Sequence, residues 1–369
     1  MAARPQGCRP AGGGWLPRSP ARRPMADCLT LPIRYAYASI VTPVTTLAVV
    51  VPATDSPATL STCLAALEAS HDPADEIVVV DAPAALSASE ARNAGVERAT
   101  ADVIVFVDAD VAVHPDALGR LRARFTADPD LTAAYGSYDD SPADRTTVSA
   151  FRNLLHHHVH QSSAGRAETF WTGLGAVRRR AFLAVGGFDH RRYPHPSIED
   201  IDLGHQLATT GGRIVLDPTV QGTHLKVWTL RSMVWTDFAR RGVPWVALQV
   251  RNRRLSGALN CGWRHRLSAA ACLVVLVSAA LGQVLPAVAA AGSLLALNRS
   301  FYLLLAHRLG PVRAAVGVLL HGLHHVVAVA AVPAGIASVL WATSTRQRRG
   351  GVAIDVGEPA PATGTPVAP

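Results

Sequence analysis

Short apolar runs alternate with amphipathic stretches through the first part of the chain, and long uncharged runs take over near its end. Leu47 to Val51 is a β-branched run closed by Pro52; Ile77 to Val80 is closed by Asp81, and Val103 to Val107 by Asp108. Leu60 to Leu67 and Ser89 to Ala99, lying between these runs, have helical spacing. Strands recurring about 25 to 30 residues apart with helices between them predict βαβ units and a mainly parallel sheet. Near-continuous apolar strands predict burial on both faces. Ligands of such sheets sit beyond the carboxyl ends of the strands. Pro52, Asp81, Asp108 and Asp110 are therefore expected to line one crevice.

Further along, residues 146–161 read as a helix carrying His156, His157, His158 and His160. A glycine-containing loop is expected at Thr172 to Gly175. Ser197 to Leu207 reads as a helix with Glu199 and Asp200 in its first turn, where the helix dipole favours acids. Arg213 to Leu216 reads as a last short strand.

The pattern then changes. Leu267 to Leu297 contains no charged residue, and Ala314 to Trp341 has only histidines as ionisable groups. Both exceed the roughly 20 apolar residues that span a bilayer. Arginines 251, 253, 254, 264 and 266 precede the first run and Arg346, Arg348 and Arg349 follow the second, as the positive-inside rule prefers for cytoplasmic flanks. Arg299, Arg308 and Arg313 between the runs conflict with a simple hairpin. The number of spans stays open, with breaks expected near Gly282 and Pro286 or near Pro333. Trp228, Trp235, Trp245 and Trp263 suit an interfacial belt. His321, His324 and His325 are expected to sit as neutral side chains packed between helices or near the interface. The resulting division is an N-terminal extension (1–43) read as disordered, an α/β domain (44–250), a basic interfacial linker (251–265), a membrane region (266–342) and a disordered tail (343–369). Met25 is an alternative start.

Composition sharpens this division. The 369 residues are 49% hydrophobic and only 17% charged, with a positive mean hydropathy, which points to membrane contact. A formal net charge of +8 suggests anionic partners such as a phosphorylated donor or lipid headgroups. Nucleic acid ranks lowest, because no basic-aromatic reading motif is present. Five scattered cysteines without CxxC spacing read as reduced thiols rather than a disulfide framework or zinc site.

Two acidic pairs carry the chemistry. Asp108 and Asp110, at the end of a buried strand, suit a divalent cation, Mg2+ or Mn2+, which binds one or two carboxylates plus substrate phosphates. Glu199 and Asp200 can supply a base that takes a proton from an acceptor hydroxyl. His156 and His160 share a helical face, but no carboxylate accompanies them at a diagnostic spacing. Acceptor contacts or a polar helix face are the expectation for them, not a second metal site.

Ala91-Arg92-Asn93-Ala94-Gly95, the run Ala101 to Asp110, Trp171-Thr172-Gly173, Gly186-Gly187-Phe188-Asp189 and Glu199-Asp200 together resemble family 2 glycosyltransferases of the GT-A fold. The resemblance covers about residues 46–250, and Asn298 to Trp341 resembles the tail of bacterial membrane-bound members. It implies a GT-A nucleotide-diphospho-sugar transferase domain, a Rossmann-like mainly parallel sheet, followed by transmembrane helices. By resemblance, Pro52, Asp55, Asp81, Arg92, Asp108 and Asp110 would bind the donor, with Asp81 at the nucleobase and Asp110 on the metal. His224 would complete the metal site or touch the diphosphate. Thr172 and Gly173 would contact the acceptor, and Asp200, with Glu199 beside it, would be the base.

The chain departs from that pattern at Thr54-Asp55 and at Asp81-Ala82-Pro83-Ala84, which leaves the donor's identity open. It lacks a Gln-x-x-Arg-Trp motif, which favours single transfer over chain extension. The expectation is a membrane-tethered inverting transferase on the cytoplasmic face of the plasma membrane. Its acceptor would be a lipid-linked molecule or a cell-envelope glycan. The rival is a catalytically degenerate membrane scaffold for another transferase; a transporter ranks below both.

Overall fold

The computed structural model describes residues 45–350, with side chains as far as 342. The expected extension, the alternative start at Met25, Cys8, Cys28 and everything beyond Gly350 lie outside the described residues. Three strands form where the β-branched runs predict them: β1 (Leu47–Pro52), β2 (Glu76–Val80) and β3 (Val103–Val107), parallel in the order β2-β1-β3. Five more complete the sheet: β4 (Val111–Val113), β5 (Leu131–Tyr138), β6 (Gly165–Ala167), β7 (Leu174–Arg178) and β8 (Arg213–His224). The order is β2-β1-β3-β7-β5-β8-β4, with β6 on β8. β7 runs antiparallel between β3 and β5, whereas β5 and β8 are parallel. The last strand is longer than its Arg213 to Leu216 core and continues through Pro218 to His224.

Strand alternation sorts side chains onto two buried faces. Val49, Val51, Val103 and Val105 pack with Leu67 of α1 (Leu60–Glu68) and Leu118 and Phe125 of α3 (Ala117–Ala127). Ala48, Val50, Ile104 and Phe106 face Val96 of α2 (Ala88–Arg98), Phe182 of α5 (Arg179–Ala184) and Leu203 of α6 (Glu199–Thr209). α2 starts with a capping box in which Ser87 and Glu90 satisfy each other's backbone N–H. Gly95 lets α2 press on β1, since a Cβ there would fall 2.3 Å from Val50 Cγ1.

A third apolar cluster joins α4 (Thr147–Gln161) to α7 (Leu230–Trp235), α11 (Arg299–Leu309) and α12 (Pro311–Gly350) through Phe151, Leu154, Trp228, Met233, Phe301 and Leu305. A π-helical segment, Thr236–Gly242, leads from α7 into α8 (Val243–Arg251). The first uncharged run turns at Gly282 (φ 67) into two packed helices, α9 (Trp263–Ala280) and α10 (Val284–Leu297). The second is a single helix that continues through Pro333 and reaches Gly350, past the expected start of the tail at 343. Among the described residues, Pro311–Ala342 is the one helix long and apolar enough by itself to cross a membrane; α10 and α11 form a second candidate, bent by 73°. Trp235 and Trp263 are exposed as a belt requires, but Trp228 is core, buried between Arg152 and Lys226.

Candidate active site

The parallel order β2-β1-β3 brings the carboxyl ends of these strands to one edge. Pro52 ends β1, and Asp55 and Asp81 stand exposed in the loops after β1 and β2. The Thr54 hydroxyl donates to the Leu86 carbonyl at 3.0 Å, tying those two loops together. Asp108 follows β3. Because β7 is antiparallel to β3 and begins opposite Val107, Thr172 and Gly173 arrive at the same edge. The Asp108 N–H donates to the Gly173 carbonyl at 3.3 Å, and the Thr172 N–H lies 3.4 Å from Asp200 Oδ2. Gly173 leaves room for an aromatic wall: a Cβ there would lie 2.2 Å from the Trp171 ring.

The two aspartates after β3 part company. Asp108 turns to Arg92, whose Nη2 donates to its Oδ1 at 2.7 Å, while Arg92 Nη1 donates to Glu199 Oε1 at 3.1 Å. Arg92 is 5% exposed and joins these two carboxylates. Glu199 is likewise enclosed; its second oxygen accepts the Ser197 N–H at 2.7 Å. It positions α6 and charges the surroundings of Asp200, and does not reach the cavity as a second base would. Asn93, which the sequence reading left without a role, clamps the segment before α6. Its amide donates to the Phe188 carbonyl at 2.9 Å and accepts the Phe188 N–H at 3.0 Å. Gly187, at φ +70 and with Asn93 Oδ1 only 2.7 Å from where a Cβ would sit, makes that clamp possible.

Asp110 faces the other way. β4 pairs with β8 so that Val111 lies opposite His224, and the Leu225 N–H donates to the Asp110 carbonyl at 2.8 Å. Asp110 Oδ2 lies 3.7 Å from His224 Nε2 and 3.9 Å from Lys226 Nζ. Burial works against ionisation of Asp110, but the His224 imidazole and the Lys226 ammonium outweigh it and hold the pKa below the usual range. Tyr138 stacks on His224 at 4.1 Å and fixes the ring. One carboxylate and one imidazole at this separation fit a cation whose remaining ligands come from a substrate diphosphate. Among the described residues, no group of three or more His, Cys, Asp or Glu side chains could hold a metal by itself.

Asp200 lines a cavity of about 640 Å³ bounded by the sheet edge, the π-helical segment, α8, α9 and α12. Burial first, and then the neighbouring Glu199 charge, push its pKa up to about 7, with Arg92 and Arg241 pulling the other way. His156 and His160 lie against Trp171 on the same wall. Burial and the adjacent His160 press His156 well below its ordinary value, leaving a neutral ring. His157 and His160 bond the carbonyls of Tyr138 and Gly136 at 2.9 Å each, so they anchor α4 to β5. Across the cavity Arg152 and His324 meet Asp237, both at 2.8 Å, linking α4, the π-helical segment and α12. Arg152 and Asp237 carry no site signal in the sequence; Arg241 stands in Arg240 to Trp245, the segment nearest to a Gln-x-x-Arg-Trp motif but without its Gln or spacing.

The helix that carries Asp200 is held by close backbone contact. A Cβ on Gly204 of α6 would lie 2.3 Å from Phe170 N and 2.4 Å from Thr169 C. Gly204→Ala is therefore expected to destabilise the protein by about 1–3 kcal/mol, read as a lower melting temperature by circular dichroism. An unchanged melt would mean that α6 can slide freely and does not fix Asp200.

A mainly parallel sheet of this order, with carboxylates gathered at one edge, has the GT-A arrangement expected from the sequence. Residues 82–186, 105 of the 369, match the sequence model described as Glycosyl transferase family 2. The matched segment contains Arg92, Asp108, Asp110, Thr172 and Gly173; Asp200 and His224 follow it. No curated protein matches the chain. Among solved structures it is similar to a mannosyltransferase from Pyrobaculum calidifontis in complex with GDP-Man and Mn2+, at 16% identity and a TM-score of 0.46, over 81% of this chain and 88% of that one. It is also similar to glucosyl-3-phosphoglycerate synthase from Mycobacterium tuberculosis in complex with phosphoglyceric acid, at 17% identity and a TM-score of 0.34, over 51% and 75%.

Proposed function

We propose that the protein moves one sugar from a nucleotide-sugar donor to a hydroxyl of a lipid-linked or cell-envelope acceptor, with inversion, while anchored in the plasma membrane and facing the cytoplasm. The observation that carries this reading is the bonded path Asp108–Arg92–Glu199, beside the second path Asp108–Gly173 and Thr172–Asp200. Through these, the donor edge of the sheet and the base share one rigid frame. Asp55 and Asp81 offer acceptors to the nucleoside. Asp110 and His224 would hold Mg2+ or Mn2+ together with the diphosphate. Such a cation, when bound, neutralises charge developing on the leaving diphosphate. Asp200 would take the acceptor hydroxyl's proton as that oxygen attacks the anomeric carbon opposite the diphosphate, which inverts the centre. The like-charged Glu199 makes Asp200 a better proton acceptor near neutral pH, and Arg92 and Arg241 offset this only in part.

The membrane part of the proposal rests on exposed apolar area. Leu273, Leu276 and Val277 on α9, Leu285 and Val288 on α10, and Leu319 and Leu340 on α12 all stand exposed, an extent of apolar surface that marks contact with lipid or protein. Basic residues flank α9 and the end of α12 in sequence, which supports cytoplasmic ends.

Full-length protein in neutral detergent, screened with nucleotide sugars and membrane extract, should release nucleoside diphosphate from one donor. Release from none would sink the proposal. In the same preparation, a nucleoside diphosphate with Mn2+ should raise the melting temperature, by the equivalent of about 2.7 kcal/mol at a hundredfold excess over the dissociation constant. Asp110→Asn should abolish the Mn2+-dependent part. Equal stabilisation of that variant would remove Asp110 from the metal site.

A further inference from the structure

The cavity beside Asp200 is far larger than a proton transfer requires, and it is built from two kinds of wall. Its lining includes Trp171, Arg241 and histidines, and also Val246, Val250 and Leu255 with Val329, Val332 and Ile336 of α12. Four of those apolar side chains, Val250, Leu255, Val332 and Ile336, are also exposed by 40% or more. The apolar part of the wall therefore continues into the uncovered apolar surface of the C-terminal helices. Its volume lies in the range of small-molecule sites.

The charge on the wall is unbalanced. Arg152 is matched by Asp237, Arg254 by Glu168 at 2.8 Å, and Arg266 donates to the Cys261 and Ser256 carbonyls. Among the described residues, the Arg241 and Arg253 side chains have no hydrogen-bond or ion-pair partner, and both line the cavity. Arg253 stands at φ +48, a backbone conformation that non-glycine residues adopt rarely. Two enclosed imidazoles add to this. His265 is 8% exposed and His325 2%, both line the wall, and His265 Nδ1 and His325 Nε2 are buried without a partner. Asp237 and Arg241, both on the wall, belong to the π-helical segment, the kind of irregularity that recurs at functional sites.

We infer that this cavity seats an anionic amphiphile as the acceptor: a phosphate-type group held by Arg241 and Arg253, a hydrocarbon chain along α8 and α12, and a hydroxyl delivered to Asp200. This rests on Asp200 being the base and narrows the acceptor to one chemical class. Neutral glycans lack the anion, and soluble sugar phosphates lack the chain.

The test uses full-length protein in neutral detergent and native mass spectrometry, with dodecyl phosphate, dodecanol and glycerol phosphate as probes. Dodecyl phosphate should form a one-to-one adduct that survives detergent removal, while dodecanol and glycerol phosphate bind much more weakly. Combined Arg241→Gln and Arg253→Gln should weaken the dodecyl phosphate adduct roughly tenfold or more. Ile336→Trp should weaken it by filling the apolar part, and Arg240→Gln, outside the wall, should not. Equal binding of dodecanol, or indifference to the arginine pair, would overturn the inference. So would displacement of the adduct by phosphatidylcholine at equal concentration, since a zwitterionic lipid with no free hydroxyl would then serve as well. Mn2+-dependent stabilisation by a nucleoside diphosphate is followed in parallel. If it persists where the adduct fails, the inference falls and the transferase reading stands; if it is absent from the unsubstituted protein, both fall.

Discussion

Asp200→Asn is expected to lower sugar transfer by about a hundred- to ten-thousand-fold while Mn2+-dependent nucleotide binding persists. The reason is the state of the carboxyl group. Its pKa is raised to about 7 by burial and then by Glu199, so the unsubstituted enzyme should lose rate as pH falls through 7, about tenfold per unit once Asp200 is mostly protonated. Glu199→Gln removes the like charge but not the burial. The acidic limb should therefore move to lower pH and still stop above the ordinary carboxylate range.

Stability gives an independent readout of the same group. A carboxyl with a raised folded-state pKa is ionised in the unfolded chain and protonated in the fold between roughly pH 4 and 7. The unfolded state binds fewer protons in that window, so this group subtracts stability as pH climbs through it. Asp200→Asn should then melt higher than the unsubstituted protein at pH 8 and no higher at pH 4. An active Asp200→Asn protein, or one that melts lower at pH 8, would remove both the base and the account of its pKa.

How much of this was legible depended on what each residue does. β1, β2 and β3 announce themselves because β-branched runs are long and end on a proline or an acid; the edge that gathers Asp81 and Asp108 follows from their spacing. β5 was invisible, because Leu-Thr-Ala-Ala-Tyr-Gly-Ser-Tyr has small residues where strands usually carry branched ones. Gly136 explains part of this: a Cβ there would lie 2.2 Å from the Val220 carbonyl oxygen. β8 was cut short in the reading because Pro218 and Gly222 punctuate it. The break at Gly282 was foreseen, whereas Pro333, an equally plausible stop in sequence, is carried inside a helix packed on its neighbours.

The site was legible as a set of acids but not as an assembly. Nothing local in Ala91 to Gly95 says that Arg92 spans two carboxylates or that Asn93 holds Phe188, because both partners come from distant segments. The cavity was hidden for the same reason, since α12 joins a wall begun by α4 and α6 far earlier in the chain. Its long uncharged run was readable as a membrane helix, and His324 within it as costly in lipid. That His324 meets Asp237 at the edge of the cavity is a tertiary fact.

Arg92→Met is expected to be the most destabilising single change in the frame, by about 3–5 kcal/mol, and to abolish transfer. The guanidinium bridges Asp108 at 2.7 Å and Glu199 at 3.1 Å, and lies 5.7 Å from the Phe188 ring centre. Burial opposes its charge, yet the two carboxylates outweigh that and hold its pKa above the ordinary value. Methionine keeps the apolar packing but leaves two acids facing each other across the gap. Arg92→Lys should restore only part of the loss, because a single ammonium cannot satisfy two carboxylates as the planar fork does. Adding Glu199→Gln to Arg92→Met should recover stability that neither change shows alone, a coupling of at least about 0.5 kcal/mol in a double-mutant cycle by chemical denaturation. Activity should stay low in that double variant, since only the Gly173 and Thr172 backbone contacts would still tie Asp108 to Asp200. If Arg92→Met melts and turns over like the unsubstituted protein, the two acidic segments are held together by something else, and the shared frame proposed for donor and base is wrong.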